Sequence, residues 1–225
     1  MPVSVPQLVR IFHITAIPNL ASIVADRAVR AKALLAERGV VYSNIAYQGA
    51  QGRRAVKTVR RSPAGVIHDY VPFYFAPRSP MLFTINVGNV DGCSHRQQDI
   101  VHLATTVFAV CEAHLKFIFY NYNATLSIAE CFDDLADLDK IDWPLFFEEP
   151  TIDGYCKYWH SRLDPPEHAL RMETRQAEFL VHREVPLEAF ECIGVIDESK
   201  ADEVRAILDA AGIDLPVAVK PGWYF

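Results

Sequence analysis

The chain has 225 residues, 51% of them apolar, with thirteen Phe and nine Tyr; that is enough to bury a large core and excludes a disordered or fibrous chain. A formal net charge of −6 argues against coating polyanions by bulk basicity, though not against a local basic groove. Cys93, Cys111, Cys131, Cys156 and Cys192 are scattered, odd in number and without a Cys-x-x-Cys pair, which fits free thiols in a reducing cytoplasm rather than a disulfide framework.

In chain order, residues 9–15 read as a first strand, and Pro18-Asn19 opens a helix with Leu20, Ile23 and Val24 on its apolar face. Arg10 and His13 interrupt this early apolar run, so no signal peptide is expected. Ala31 to Glu37 continues helically to Gly39. Residues 42–65 carry little core signal and much charge, including Arg53-Arg54-Ala55-Val56-Lys57-Thr58-Val59-Arg60-Arg61. Continued as a helix, this run would put Arg53, Lys57 and Arg60 or Arg61 on one side. Residues 71–75 form a second strand, whose Pro72 suits a sheet edge or a strand start. Pro77-Arg78-Ser79-Pro80 ends it, and 81–87 is apolar without a clear period. Residues 100–113 read as strand then helix, 117–120 as a short buried strand, and 127–138 as an amphipathic helix. Trp143 to Thr174 is a polar and aromatic loop of a length that usually carries function. A strand over 177–182, another over 190–196, a helix over 199–211 and a last strand over 216–219 complete an α+β pattern in one domain, 1–225. No stretch is long and apolar enough to span a membrane. Cys156 and His160 have helical ligand spacing but no second pair, so no metal site is expected.

Glu178 draws the most attention. On a strand alternate residues share a face, so Ala177, Phe179 and Val181 line one side, and Glu178, Leu180 and His182 the other. Either this is an edge strand with Glu178 in water, or a carboxylate is held in a cleft to do chemistry. His13 on the first strand, Arg53-Arg54, Tyr74 on the second strand and Glu178 then stand in a suggestive order. Singly, each has an ordinary reading: a satisfied strand histidine, a solvated arginine pair, a core tyrosine.

Together they resemble the ADP-ribosyltransferase plan of an early-strand His or Arg, a middle-strand aromatic and a late-strand Glu. The match is closer still to one family. Ile11-Phe12-His13-Ile14-Thr15 with Asn19-Leu20, Asn44-Ile45-Ala46-Tyr47 leading to Arg53-Arg54, the string from His68 to Leu82, Gln176 to Val181, and Lys220-Pro221-Gly222-Trp223-Tyr224-Phe225 resemble the DarT family of DNA ADP-ribosyltransferases over essentially the whole chain. Phe12 stands where that pattern has Tyr, and the segments over 27–41 and before Glu178 are longer; these departures bear on loop geometry and DNA-sequence preference more than on chemistry.

The resemblance implies an ADP-ribosyltransferase-like fold: a central split β-sheet with flanking helices and a long substrate loop. It implies transfer of ADP-ribose from NAD, a substrate here, to a base in single-stranded DNA, with no metal. Thymine is favoured because Tyr74 to Leu82 and the aromatic loop around Trp159 resemble the thymidine-modifying branch. Glu178 and Arg54 would be catalytic. Phe12, His13, Ile14, Thr15, Asn19, Arg54 and Tyr74 would bind NAD. Arg78, Ser79, Met81, Tyr158, Trp159, Arg171 and Arg175 would meet DNA. A bacterial toxin in the cytoplasm, partnered by a DarG-type macrodomain antitoxin, is the biological role implied.

The residues alone leave other readings open. The same Glu and His would serve an NAD-dependent transferase acting on RNA, protein or a small molecule. An intact Glu178 counts against a silent nucleic-acid-binding module. Neither Gly-rich signature of Rossmann or P-loop enzymes is present, and nothing singles out one Cys as a nucleophile.

Overall fold

Alternating apolar residues draw most strands into one sheet, and the helices cover it where their apolar stripes permit. The computed structural model describes residues 5–158 and 170–225. Strand β1 (Arg10–Ala16) leads through a 3₁₀ turn into α1 (Leu20–Asp26), followed by β2 (Ala28–Arg30), α2 (Lys32–Glu37) and α3 (Gln48–Val56). Next come β3 (Tyr70–Tyr74), α4 (Pro80–Asn86), β4 (Ile100–Thr106), α5 (Val107–Glu112), β5 (Phe117–Tyr120) and β6 (Cys131–Phe132). Helix α6 (Pro144–Phe147), strands β7 (Thr151–Ile152) and β8 (Tyr155–Cys156), and helix α7 (Arg171–Thr174) lie before β9 (Glu178–His182). The remainder is β10 (Glu184–Pro186), β11 (Cys192–Val195), α8 (Glu198–Ala210) and β12 (Val217–Val219).

Eight strands pair in the order β12-β11-β4-β1-β3-β9-β5-β6. One face of this sheet, with Ile11, Phe73, Leu103 and Phe179, packs on Leu20, Ile23 and Val24 of α1 and Val204 and Leu208 of α8. The opposite face around β1 carries Phe12, Ile14 and Ala104 against Leu82 and Ile85 of α4 and against Trp223. Trp223 comes so close to β11 that a Cβ on Gly194 would overlap its ring.

The decisive irregularity lies between β1 and β3. Strand β1 follows β4 over its whole length, from Arg10↔Thr106 to Ala16↔Ile100, but meets β3 only at Phe12↔Tyr74. Beyond that pair the strands part, and the sheet is split. Pro72 fits this gap. Its carbonyl faces β1, and a strand residue's N and C=O leave on the same side, so the missing Pro72 N–H points where no ladder exists. Pro72 is therefore not on an outer edge; β3 lies inside the sheet with β9 on its other side, in register from Tyr70↔His182 to Tyr74↔Glu178.

Several elements differ from the sequence expectation. The 127–138 helix does not form. Instead β6 pairs with β5, Phe132 stacks on Phe119 at 5.2 Å, and Asp134 caps a 3₁₀ turn over Leu135–Lys140 by accepting from Ala136 N–H at 2.9 Å; a side chain that satisfies backbone donors locally competes with a continuous helix. Helix α3 stops at Val56, after which Thr58 bridges to Val66, so Arg60 and Arg61 do not share a helical face with Arg53. The 81–87 run is helix α4, started by Ser79 as N-cap and Pro80 at its first turn. The long 143–174 stretch carries α6, the β7–β8 hairpin and α7 within its described part.

Candidate active site

The gap between β1 and β3 opens into a cleft of about 420 Å³, lined by His13, Ile14 and Thr15 of β1, by α1 and the 42–47 loop, by Arg54 of α3, and by Tyr74 and Glu178. Both His13 and Glu178 thus face one cavity. Glu178 opens β9 between β3 and β5, opposite Tyr74 on one side and Tyr120 on the other. It is only 2% exposed, so the water-facing edge-strand reading is excluded. A buried carboxylate is costly unless paired. Arg54 Nη1 reaches both its oxygens, at 2.9 and 2.7 Å, and the Ala124 backbone N–H donates to Oε1 at 3.2 Å. The Ala124 amide is aimed by Asn123, whose Oδ1 accepts from Thr125 N–H at 3.0 Å and Thr125 Oγ1 at 2.7 Å, a local Asx turn.

His13 is oriented by Pro72. The ring Nδ1 lies 2.9 Å from the Pro72 carbonyl oxygen, which can only accept, so Nδ1 carries the hydrogen. Burial lowers the His13 pKa against the opposing pull of that carbonyl. The ring is neutral, and Nε2 is left as an acceptor. Asn19 holds the cleft wall: it donates to Thr15 Oγ1 and Ser43 O, each at 3.0 Å, and accepts from Ser43 N–H at 2.7 Å. Tyr74 stays a neutral phenol, its pKa raised by burial and then by Glu178; among the described residues its hydroxyl meets only the Met81 sulfur, at 3.8 Å.

The geometry matches known proteins. The family model described as "ssDNA thymidine ADP-ribosyltransferase, DarT" matches residues 12–225. The chain belongs to the DarT family. It is 37% identical over 228 residues to a DNA ADP-ribosyl transferase of Thermus sp. (strain 2.9), covering 98% of each chain, and 30% identical over 220 residues to one from Mycobacterium tuberculosis, covering 96% of this chain and 88% of that one. Its structure resembles the Thermus sp. 2.9 DarT in complex with ADP-ribosylated single-stranded DNA, with a TM-score of 0.87, 34% identity and 100% of both chains covered. It also resembles that protein in complex with NAD+, with a TM-score of 0.81, 32% identity, and 99% of this chain and 100% of that one covered.

Not every residue assigned by resemblance stands where a ligand contact would need it. Phe12 is fully buried and packs edge-on against Trp223 at 5.0 Å and Tyr155 at 5.6 Å. Its side chain leaves β1 on the face away from His13, the face shared by its register partner Tyr74 and by Glu178, and there it packs as core. Ser79 is 1% exposed, and its hydroxyl accepts from Leu82 N–H at 3.2 Å as the α4 cap. Arg78, Arg171 and Arg175, expected as exposed cations, are all buried. Arg78 donates to the Tyr224 carbonyl and lies 4.5 Å over the Phe225 ring. Arg171 pairs with Glu148, Nη2 to Oε1 at 2.6 Å. Arg175 donates to the Leu145 carbonyl at 2.7 Å and lies over Phe146 at 5.0 Å. Each guanidinium finds a carbonyl, ring or carboxylate inside the fold, which a strand of sequence cannot show. Met81 lines the cleft and Tyr158 is half-exposed. Trp159 and His160 lie outside the described residues.

The structure adds residues that the sequence did not single out. Gln176 and Asn123 line the cleft beside Glu178 and bond to each other at 2.9 Å; Gln176, two residues before Glu178 on the approach to the strand, was the one readable signal. Lys32 and Gln51 also line it, and nothing in the local pattern marks them, because their partners are distant in sequence.

Proposed function

We propose that the protein transfers the ADP-ribose of NAD to a thymine base in single-stranded DNA, releasing nicotinamide. The observation that carries this reading is the buried Arg54–Glu178 pair in a cleft that His13 also lines. Cleavage of the bond to nicotinamide proceeds through an oxocarbenium-like state, as in other glycosyl transfers. An anion fixed beside the ribose stabilises that developing charge, and does so more strongly in a site from which water is excluded. Glu178 is that anion, held in place by Ala124 N–H. His13 Nε2 accepts from a ribose hydroxyl or the nicotinamide amide, and Tyr74 stacks on the nicotinamide ring. The new bond forms from the ribose carbon to a base nitrogen as the bond to nicotinamide breaks; nicotinamide leaves neutral, and the proton of the base nitrogen is released to bulk water. Arg54 keeps its own proton at all relevant pH, so it acts as an electrostatic clamp on the base or the pyrophosphate rather than as the base catalyst.

Two further features support single-stranded DNA. Arg78, Arg171 and Arg175 form one buried cluster, in which Arg171 pairs with Glu148. Arg78 Nε and Arg175 Nε and Nη2 have no hydrogen-bond partner among the described residues. Surplus buried positive charge suits an incoming phosphate. Exposed Tyr158 provides a stacking surface, and the cleft can take a splayed base but not a paired one. Growth arrest on expression in bacteria, relief by a DarG-type macrodomain antitoxin, and a cytoplasmic location belong to the same reading.

The test is mass spectrometry of oligonucleotides incubated with the protein and NAD. A thymine-containing single strand gains one ADP-ribose; the duplex of the same sequence, RNA and a thymine-free strand do not. Equal labelling of the thymine-free strand would remove the base assignment, and labelling of protein alone would remove DNA.

A further inference from the structure

Helix α3 delivers Arg54 to Glu178, yet it buries no residue and its N-terminus has no side-chain cap. Nine residues are too few for a helix to persist unaided in water. Burial, which seats α1, α4 and α8, therefore cannot seat α3. Its C-terminal end is tied by backbone, with Ile67 N–H donating to Lys57 O at 3.1 Å and the Thr58↔Val66 bridge beyond. Along the helix itself, apart from the Arg54–Glu178 pair that it serves, Gln51 makes the tie. Gln51 Oε1 lies 2.9 Å from Lys32 Nζ and 3.0 Å from His68 Nε2. Lys32 begins α2, and His68 sits in the 3₁₀ turn Ile67–Asp69 just before β3.

The atoms can be assigned. An ammonium only donates, so the oxygen of the Gln51 amide, not its nitrogen, faces Lys32. His68 shares that oxygen, so its Nε2 must carry a hydrogen. The two lone pairs of one carbonyl then accept from two elements that belong to the body of the protein. Burial, with Lys32 and Arg54 nearby, keeps His68 neutral, with its pKa lowered to about 4. Gln51 and Arg54 are three residues apart on α3 and so share a face.

We propose that Gln51 is a positioning residue for the transfer reaction: clipped by Lys32 and His68, it fixes α3 against the protein so that Arg54 stays on Glu178. The proposal rests on the reaction assigned above. The clip is polar and local, so its loss loosens one helix without opening the core.

The test uses Gln51→Met, which keeps length and removes the acceptor, and Gln51→Glu, which keeps an acceptor for both partners. Turnover is measured at saturating NAD and thymine-containing oligonucleotide, and hydrogen exchange is followed for residues 48–57 and for the sheet. For Gln51→Met, turnover falls tenfold or more, exchange of 48–57 rises at least tenfold, and exchange of β3, β4 and β9 and the Tm are unchanged. Gln51→Glu stays within threefold of wild type in both readouts. The proposal is overturned by any of four results: Gln51→Met turnover within twofold of wild type, lost turnover with 48–57 still protected, exchange rising equally throughout the sheet, or Gln51→Glu as impaired as Gln51→Met. Glu178→Ala separates the two levels. If it leaves labelling intact, the reaction assignment has failed; if it abolishes labelling while Gln51→Met does not, only the clip has failed.

Discussion

Replacing Glu178 by Ala tests the centre of the mechanism, and the structure sets how large the effect should be on activity and on stability separately. Glu178 is buried, and in the folded protein it accepts from Arg54 and from Ala124 N–H. Removing one partner of a buried ion pair commonly costs about 3–5 kcal/mol, because the other charge is left without a partner. Here that cost is relieved. Arg54 lines the open cleft, so its guanidinium can turn to water there without α3 leaving its place. What remains is the Ala124 hydrogen bond and a small void, on the order of 1–2 kcal/mol in stability. The transition state has no such escape, since the ribose cation forms where the carboxylate was. Loss of a preorganised charge at that point should cost about 3 kcal/mol or more, roughly 150-fold in rate. The assay is single-turnover labelling of a thymine-containing oligonucleotide, run beside thermal unfolding. A folded Glu178→Ala protein that labels DNA within threefold of wild type would refute the reasoning and reduce Glu178 to a structural residue.

The other predictions follow from neighbouring contacts. Tyr74→Phe should keep turnover within about threefold, because the hydroxyl's contact is the weak acceptor sulfur of Met81, which contributes little; Tyr74→Ala should raise the NAD KM at least tenfold if the ring stacks on nicotinamide, and an unchanged KM would end that assignment. Ser79→Ala should cost about 1 kcal/mol of stability through loss of the α4 cap, seen by denaturant unfolding, with oligonucleotide affinity unaltered; a selective loss of DNA binding would restore Ser79 as a nucleic-acid contact. Burial lowers His102 from the ordinary 6.5 to about 4, so the unfolded chain binds the extra proton first as pH falls. The stabilisation is complete above about pH 6.5 and is lost between there and about pH 4, up to about 3 kcal/mol; His102→Gln should flatten that part of the stability–pH curve, and an identical curve would show that His102 does not titrate as described. Oligonucleotide affinity should fall as salt rises, with a shallower slope for Arg175→Met, because Nε and Nη2 of the Arg175 guanidinium have no hydrogen-bond partner among the described residues; an unchanged slope would remove Arg175 from the phosphate path.

What the sequence determined by itself was local periodicity and ordered motif. The strands at 9–15, 71–75 and 117–120, the strand-then-helix over 100–113 and the last helix all carry apolar patterns that neighbours in sequence complete, and they form within a residue or two of expectation. The order His13, Arg54, Tyr74, Glu178 was equally legible, because it is a linear motif. Tertiary structure alone decided the rest. Whether Glu178 faced water or a cleft depended on β9 lying between β3 and β5, and strand order is a long-range property. The cleft exists because β1 and β3 meet at one pair and then part, which Pro72 permits but does not announce. Arg78, Arg171 and Arg175 read as solvated cations because their sequence surroundings are polar; they are buried because a carboxylate, carbonyls and rings far along the chain, from Glu148 to Phe225, come to meet them. Phe12 and Gln51 make the same point from opposite sides: one looked like a ligand contact and is core, and the other was unmarked and holds the helix that carries Arg54. A side chain's type fixes what it can bond to; only the packed chain fixes which partner arrives.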